Sequence, residues 1–314
     1  MRRALVTGAT GFIGRHLVAR LAAEGWAVTC VARSTIPTMP SPAGSTTLEL
    51  GPAPWSVESL KQALEASAAE VVFHLAGTTR AVSVADLYAV NAGMAATLFD
   101  AVEADARMLG PKPLIVLAGS SAEYGEVASD ALPVAEGYPC APSTDYGISK
   151  YAQTLAGLAR ARRGLNVMVA RIFNPIGPGM RNHLALANFA EQIRLGVTVL
   201  RVGDLDVERD FVDASEAARL IAALAANPPA RDERNGIVWN ICSGRAFSLR
   251  NLANELVRLC GRPVTLEIDP ARLRPGQMRS FRGSTARLAA AGLFPKAPDF
   301  ATLLPQLLAD RMRL

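Results

Sequence analysis

Short apolar runs alternate with amphipathic stretches over the first 172 residues of the chain. The apolar runs cover 4–7, 27–32, 71–75, 114–119 and 166–172. The stretches between them carry apolar residues at helical spacing, and they cover 12–24, 57–66, 82–102 and 146–163. Strands that alternate with helices predict an α/β fold built on a Rossmann-type, doubly wound parallel sheet.

The pattern changes after Asn174, where proline and glycine cluster and the elements become mixed. In this part we predict helices at 186–195, 214–226 and 249–259, and strands at 198–202 and 238–242. The alternation also weakens in a stretch rich in Pro, Ser and Thr, where one strand is expected near 47–50.

These patterns predict two parts of the chain. An NAD(P)-binding Rossmann domain is expected over 1–173, with returns near 205–242. A smaller C-terminal α/β substrate lobe is expected over 174–204 and 243–314.

Composition narrows the function classes. The 33 lysines and arginines outnumber the 28 acidic residues, for a net charge of +5, but no dense basic stripe occurs. We therefore expect no nucleic-acid partner, and the mild positive charge suits a small substrate that carries phosphates.

The four cysteines lack metal-ligand spacing, which predicts no metal site or disulfide framework and favours a cytoplasmic protein. Since neither a run of about 18 apolar residues nor room for a signal peptide is found, no membrane association is expected.

A glycine-rich turn joins the first predicted strand to the first predicted helix. Gly8, Gly11 and Gly14 follow one another at intervals of three, a variant of the dinucleotide-binding fingerprint. Gly8 permits a tight turn, Gly11 lets a pyrophosphate approach the helix N-terminus, and Gly14 lets helix and strand pack closely. The predicted cofactor site also includes the neighbouring Thr10, Phe12 and Ile13.

The end of the second predicted strand bears on which nicotinamide is bound. An acidic residue there would bind the 2′-hydroxyl of NAD, but the strand ends Val31-Ala32-Arg33. Because a guanidinium suits the 2′-phosphate of NADP, Arg33 favours NADP(H), with NAD(H) as the alternative.

Tyr146 and Lys150 form the candidate catalytic pair. Residues four apart lie on the same face of a helix, and the two begin the predicted helix 146–163. We expect the ammonium of Lys150 to lower the pKa of the Tyr146 phenol, which would then serve as a general acid or base. Ser120 follows the strand 114–119, at the edge where ligands bind in such sheets, and its hydroxyl could hold a substrate oxygen.

With these residues the sequence resembles the extended short-chain dehydrogenase/reductase family, in its nucleotide-sugar branch. The resemblance covers nearly the whole chain, and within the branch it is closest to the reductases of GDP-4-keto-6-deoxy-D-mannose. The segments that carry it are the glycine turn, 73–77, Asn91, 119–125, Tyr146 with Lys150, 171–179, 202–213, 273–277 and Gly283.

The resemblance implies a role for particular residues. It implies that Ser120, Tyr146 and Lys150 are the catalytic group. It implies that the cofactor contacts Leu75, Ala76 and Gly77 as well as Tyr146 and Lys150. It implies that the nucleotide sugar contacts Ser121, Asn174, Arg209 and Arg274, of which the two arginines offer bidentate forks to phosphate.

Two departures from the family pattern matter. The dehydratases of the family place a glutamate two residues before a Tyr-Gly pair, where this chain has Ala122. Glu123 comes one residue later, and on an extended segment it would face away from the sugar. In the family, an acidic residue that holds the adenine often follows the third strand, and in this chain Leu50-Gly51 stands at that place. His74 lies in a predicted buried strand, where a core or supporting histidine is expected.

The leading hypothesis is an NADPH-dependent reductase of a nucleotide-linked 4-keto-6-deoxyhexose. The alternatives are an NAD-dependent nucleotide-sugar 4-epimerase or 4,6-dehydratase, and a non-catalytic dinucleotide sensor. Family members often pair the helices 82–102 and 146–163 into a four-helix bundle, so the resemblance also implies a homodimer.

Overall fold

The computed structural model describes residues 1–33, 45–104, 112–228, 237–273 and 278–310. The chain divides into two compact units. The first unit comprises 1–126, 136–172 and 217–241. The second unit comprises 127–135, 173–216 and 242–314. The chain thus returns to the first unit at residue 217, where we had expected a return near 205.

The described residues contain strands and helices in regular alternation over the first unit and in shorter pieces elsewhere. The strands are β1 Arg3–Thr7, β2 Ala27–Ala32, β3 Ser45–Glu49, β4 Val71–His74, β5 Leu114–Ser120, β6 Asn166–Ile172, β7 Asn174–Ile176, β8 Val199–Val202, β9 Glu208–Arg209, β10 Phe211–Asp213, β11 Ile237–Ile241, β12 Phe247–Ser248, β13 Thr265–Ile268 and β14 Ser280–Phe281. The helices are α1 Phe12–Ala23, α2 Val57–Ser67, α3 Val84–Tyr88, α4 Met94–Ala104, α5 Asp145–Ala161, α6 Ala185–Arg194, α7 Ala214–Ala226, α8 Leu249–Leu259, α9 Ala286–Ala290 and α10 Phe300–Ala309.

The first unit is built on a seven-stranded sheet in the order β3-β2-β1-β4-β5-β6-β11, and every neighbouring pair is parallel. The chain moves outward from β1 to β3 and then to the opposite side from β4, so the order reverses between β1 and β4. This is the doubly wound arrangement, whose ligands bind at the reversal point beyond the carboxyl ends of the strands. The predicted Rossmann-type fold is confirmed.

Burial explains the apolar runs in the central strands. Leu5, Val72, Ile115 and Val169 are fully buried and belong to one apolar cluster, which also contains Phe99 of α4. Helices cover both faces of a parallel sheet, so its inner strands need no polar face. The edge strand β3 has one neighbour and is largely exposed, which explains its weak apolar pattern.

The second unit contains three small sheets and a group of helices. β7 pairs with β10 and β8 pairs with β13, in both cases in parallel. β9 lies between β12 and β14. The helices α6, α8 and α10 pack against one another. Among the described residues, no helix is both long and apolar enough to cross a membrane.

Candidate active site

The glycine turn follows β1 at the carboxyl edge of the sheet. Gly8 has a φ of +69°, and a Cβ added there would lie 2.6 Å from the backbone nitrogen of Ala76. A Cβ at Gly14 would lie 2.0 Å from the carbonyl oxygen of Gly8, so only glycine fits at either position. The turn closes with a hydrogen bond of 2.9 Å from Gly11 N to Gly8 O. The backbone thus makes the close approaches that the spacing predicts.

The N-terminus of α1 is suited to an anion. Gly11 is the N-cap and provides no side-chain cap, and the first turn contains no acidic residue. Its backbone N–H groups are therefore available to a pyrophosphate, and the helix dipole favours negative charge there. Thr10 is exposed, whereas Phe12 and Ile13 are partly buried. Arg33 is exposed directly after β2.

The end of β4 lies beside this turn. Leu75 N donates to Thr7 O (3.1 Å), and Ala76 N donates to the Thr7 hydroxyl (3.3 Å). His74 Nδ1 lies 2.9 Å from the same hydroxyl. Burial and the neighbouring charge of Lys150 lower the pKa of His74 to about 3, so the ring is neutral and supports the segment that precedes Gly77.

Asn91 organises the segment that follows Gly77. A π-helical turn, Ala89–Gly93, joins α3 to α4 and carries this fully buried amide. Asn91 accepts from Thr78 N (2.8 Å) and donates to Thr78 O and to the hydroxyl of Ser149 (2.9 Å each). Such turns occur frequently at functional sites. The sequence pattern included Asn91 in the resemblance but assigned it no role.

Ser120 and Tyr146 lie in contact. Ser120 is the last residue of β5, and Tyr146 lies in the first turn of α5, whose N-cap Thr144 accepts from Gly147 N (3.1 Å). Burial raises the pKa of Tyr146; the nearby hydroxyl of Ser120 opposes this rise, and the charge of Glu123 adds to it.

Lys150 is buried one helical turn away from Tyr146. Its Nζ donates to Gln153 Oε1 (2.7 Å), and Gln153 Nε2 donates to Ala118 O on β5 (3.1 Å). Burial lowers the pKa of Lys150 to about 8, and the charge of Glu123 opposes this fall. We expected the ammonium of Lys150 to lower the pKa of Tyr146, but the pKa of Tyr146 is raised, chiefly by burial and also by the charge of Glu123. Sequence reasoning missed Gln153, which differs from other polar helix residues only in what it contacts.

Glu123 is fully buried and contacts Ser120. Residues Ser121–Glu123 form a 3₁₀ turn rather than the extended segment we expected. The carboxylate of Glu123 accepts from Ser120 N (2.8 Å) and from Arg171 Nε on β6 (2.9 Å). Its side chain is fully buried, and the expectation that it faces away from the sugar stays a prediction. Ser121 and Ala122 are partly buried.

The predicted substrate contacts belong to the second unit, apart from Ser121. Asn174 Nδ2 donates to Asp210 O (2.8 Å), and Arg209 Nη1 donates to Glu208 O (2.8 Å) and Met278 O (2.9 Å). The pairing of β7 with β10 keeps Asn174 beside the strand that follows Arg209. Arg274 lies outside the described residues.

Comparisons with known proteins identify the family of the chain. A model of the NAD dependent epimerase/dehydratase family matches residues 4–242. The GDP-6-deoxy-D-mannose reductase of Pseudomonas aeruginosa is 33% identical over 91% of this chain and 90% of its own. The dTDP-6-deoxy-L-talose 4-dehydrogenase (NAD(P)(+)) of Kitasatospora kifunensis is 30% identical over 86% and 82%. The structure of RMD from Pseudomonas aeruginosa complexed with NADPH has a TM-score of 0.77 at 29% identity, over 98% of each chain.

The chain therefore belongs to the NAD dependent epimerase/dehydratase family, within the group of nucleotide-sugar reductases, epimerases and dehydratases. It is an NAD(P)-dependent oxidoreductase. The predicted family and enzyme class are confirmed, and the hypothesis of a non-catalytic sensor is set aside.

Proposed function

We propose that this chain is an NADPH-dependent reductase of a nucleotide-linked 4-keto-6-deoxyhexose, of the GDP-4-keto-6-deoxymannose type. The observation that carries the proposal is the proximity of the Ser120 hydroxyl to the Tyr146 phenol, in a site whose carboxylate, Glu123, is engaged by Arg171. A relative named for GDP-6-deoxy-D-mannose reduction supports the same class of sugar.

The cofactor would lie along the carboxyl edge of the sheet. Gly8, Gly11 and the first turn of α1 would hold its pyrophosphate, and Arg33 would meet the 2′-phosphate that distinguishes NADPH. The segment from Leu75 to Gly77 would pass beside it, since that segment contacts the glycine turn. NADPH supplies a hydride for the keto carbon when it is bound.

The protein residues supply the proton and stabilise the charge. Tyr146 donates its phenolic proton to the alkoxide that forms at the sugar, and Ser120 hydrogen-bonds the same oxygen. Burial raises the pKa of Tyr146, which favours the protonated phenol, the form that a reduction requires. Lys150 places an ammonium beside the nicotinamide ribose. Ser121, Asn174, Arg209 and Arg274 are proposed to contact the nucleotide sugar.

The alternative reactions make different demands on the site. A dehydratase needs a base to remove a proton from the sugar, and Ala122 occupies the position of that glutamate. A 4-epimerase returns the hydride to its substrate and consumes no cofactor. The same assay therefore distinguishes both alternatives from a reductase.

The first test replaces Tyr146 with Phe. Purified protein with GDP-4-keto-6-deoxymannose should oxidise one NADPH for each sugar reduced. Loss of the proton donor should lower kcat by about 10²- to 10⁴-fold. The Kd for NADPH should remain nearly unchanged, because the phenyl ring fills the same space.

The matched control is Tyr151→Phe on the same helix, which should retain wild-type kcat. Full turnover by the Tyr146→Phe protein would exclude the mechanism. Sugar conversion without net NADPH oxidation would replace the reductase with an epimerase. Parallel assays with NADH and with dTDP-linked keto sugar test the choices of cofactor and base.

We also propose a homodimer that pairs α5 and the α3–α4 helices of two chains. Ile148 and Leu155 lie seven residues apart on one face of α5 and are 38% and 49% exposed, and Val84 on α3 is 50% exposed. Apolar side chains on two adjacent helices suit a self-complementary interface. A mass in solution near twice 33.2 kDa supports the dimer, and a monomeric mass excludes it.

A further inference from the structure

Glu123 makes two contacts that link the catalytic group to the interior of the first unit. It is fully buried, and its two carboxylate oxygens have separate partners. Oε1 accepts from Ser120 N at 2.8 Å, and Oε2 accepts from Arg171 Nε at 2.9 Å. In return, the hydroxyl of Ser120 accepts from Ala122 N (3.2 Å), which completes a capping box. The backbone and the hydroxyl of Ser120 are therefore both constrained.

Other groups pack closely around Glu123. A Cβ at Gly119 would lie 2.7 Å from Glu123 Oε1, so a larger residue at position 119 would displace this carboxylate. Arg171 lies over the ring of Tyr124 at 4.7 Å and donates to Glu136 O (3.3 Å). The Tyr124 hydroxyl donates in turn to Asn240 Oδ1 on β11 (2.7 Å). This network connects β5, β6 and β11 and holds the carboxylate in one position.

The charge of Glu123 acts on both catalytic ionisable groups. It raises the pKa of Tyr146, in addition to the larger effect of burial. It also opposes the fall in the pKa of Lys150 that burial causes. The titratable and charged groups around the Glu123–Arg171 pair are Tyr146 and Lys150 on α5, and Tyr124, Glu136 and Cys140 on the loop after β5.

We propose that Glu123 is a positioning residue that fixes Ser120 beside Tyr146 and keeps a negative charge near the phenol, which favours the protonated form of Tyr146. Its oxygens are both occupied and inaccessible, so it does not act as an elimination base. The role of Tyr146 as a proton donor in this inference rests on the proposed reductase function. The positions of the side chains and the charge of Glu123 do not depend on that function.

The test compares Glu123→Gln with the double variant E123Q/R171M. The single variant retains an oxygen that can accept from Ser120 N but leaves Arg171 without its carboxylate. The double variant removes both charges, and it can fold where an unpaired buried arginine prevents folding. Glu126→Gln, an exposed glutamate on the same loop, is the matched control.

Two measurements are made on each protein. The first is a titration of the Tyr146 phenolate by ultraviolet absorbance without cofactor, with the Tyr146→Phe protein as the baseline. We expect both variants to ionise Tyr146 at lower pH than the wild type. The second is the pH profile of NADPH-dependent reduction. We expect kcat to fall by about 10- to 100-fold because Ser120 is misplaced, with KM within about 2-fold.

The falling limb of that profile should also move to lower pH. Protonated Tyr146 is the active form, so a lower pKa removes it earlier as the pH rises. Wild-type titration and wild-type kcat in both variants would overturn the inference. A lower kcat with an unchanged titration would also overturn it, since a purely structural role predicts that result. If the wild type reduces no keto sugar, the proposed function fails, and the titration alone decides the role of Glu123.

Discussion

Each unit of the protein contains a fully buried carboxylate beside residues proposed to act on the substrate. In the first unit Glu123 accepts from one cation, Arg171, and one backbone N–H. In the second unit Asp210 accepts from four neutral donors: the backbone N–H groups of Ser243 (2.9 Å), Gly244 (3.0 Å) and Gly283 (3.1 Å), and the Ser243 hydroxyl (2.7 Å).

The two arrangements have different electrostatic consequences. Burial raises the pKa of Asp210, and the hydrogen bonds from Ser243, Gly283 and Gly244 only partly offset the rise. The four neutral donors therefore do not fully compensate the burial of the Asp210 carboxylate. At Glu123, by contrast, the guanidinium of Arg171 supplies an opposite charge. The charge of Glu123 also changes the pKa values of the Tyr146 phenol and the Lys150 amine. The backbone donors around Asp210 mainly hold chain segments together.

The contacts of Asp210 suit a role in holding Asn174 and Arg209, which we propose to contact the nucleotide sugar. Asp210 joins the strand that follows Arg209 to the loops at Gly244 and Gly283. Its own carbonyl oxygen accepts from Asn174 Nδ2 (2.8 Å). The cluster therefore orders both described residues of the second unit that we propose to contact the nucleotide sugar.

The largest effect is expected when the ion pair is broken from the arginine side. Arg171→Met leaves Glu123 buried without its cation, which costs about 3–5 kcal/mol of the free energy of unfolding. Urea-induced unfolding followed by circular dichroism measures this loss. Adding Glu123→Gln should recover most of it, because both charges are then absent.

The recovery distinguishes an ion pair from simple packing. A double-mutant cycle should give a coupling energy of at least about 3 kcal/mol between positions 123 and 171, because each single substitution leaves a buried charge unpaired and the double substitution leaves neither. Strictly additive losses would show that Arg171 stabilises the unit through its contacts with the Tyr124 ring and the Glu136 carbonyl oxygen, and not through the charge of Glu123. That result would show that the charge interaction between Glu123 and Arg171 does not stabilise the first unit.

A smaller loss is expected when the carboxylate of the second unit becomes an amide. Asp210→Asn directs an NH₂ group at backbone donors that need an acceptor, at a cost of about 2–4 kcal/mol. No second side-chain substitution can recover this loss, because the donors at Gly244 and Gly283 belong to the backbone. KM for the nucleotide sugar should rise more than kcat falls.

Asp213→Asn is the matched control, at the end of β10, the strand that follows Asp210. One oxygen of Asp213 accepts from both Ser215 N (2.7 Å) and the Ser215 hydroxyl (2.8 Å), and an asparagine keeps that oxygen. The control should unfold within about 0.5 kcal/mol of the wild type. Equal losses at positions 210 and 213 would contradict the assigned importance of the Asp210 cluster.

The sequence was informative where a local pattern has one physical meaning. Gly8 and Gly14 were predicted from spacing alone, and each proves to be a position where a Cβ would collide with backbone. Tyr146 and Lys150 were predicted from helical periodicity, and Ser120 from its place at a strand end. Arg33 and Arg274 stay predictions, as does the preference for NADPH.

The residues that were missed are polar groups whose partners are distant in sequence. Gln153 looks like any polar residue on a helix until it contacts Ala118 O, 35 positions earlier. Glu123 was placed on an extended segment, because a single 3₁₀ turn leaves no periodic signal. Asp210 was noticed only as part of a family motif, and its partners lie 33 to 73 positions away.

The sequence by itself determined the class of fold and the family, and it is the basis for proposing Ser120, Tyr146 and Lys150 as the catalytic group. Apolar periodicity, glycine spacing and residues four apart on a helix are local properties that a chain carries in any state. Only the tertiary structure decided that Lys150 is held by Gln153, that the pKa of Tyr146 rises, and that Glu123 faces Arg171. These outcomes depend on burial and on which charges are brought together, and both arise only when strands distant in sequence are packed side by side.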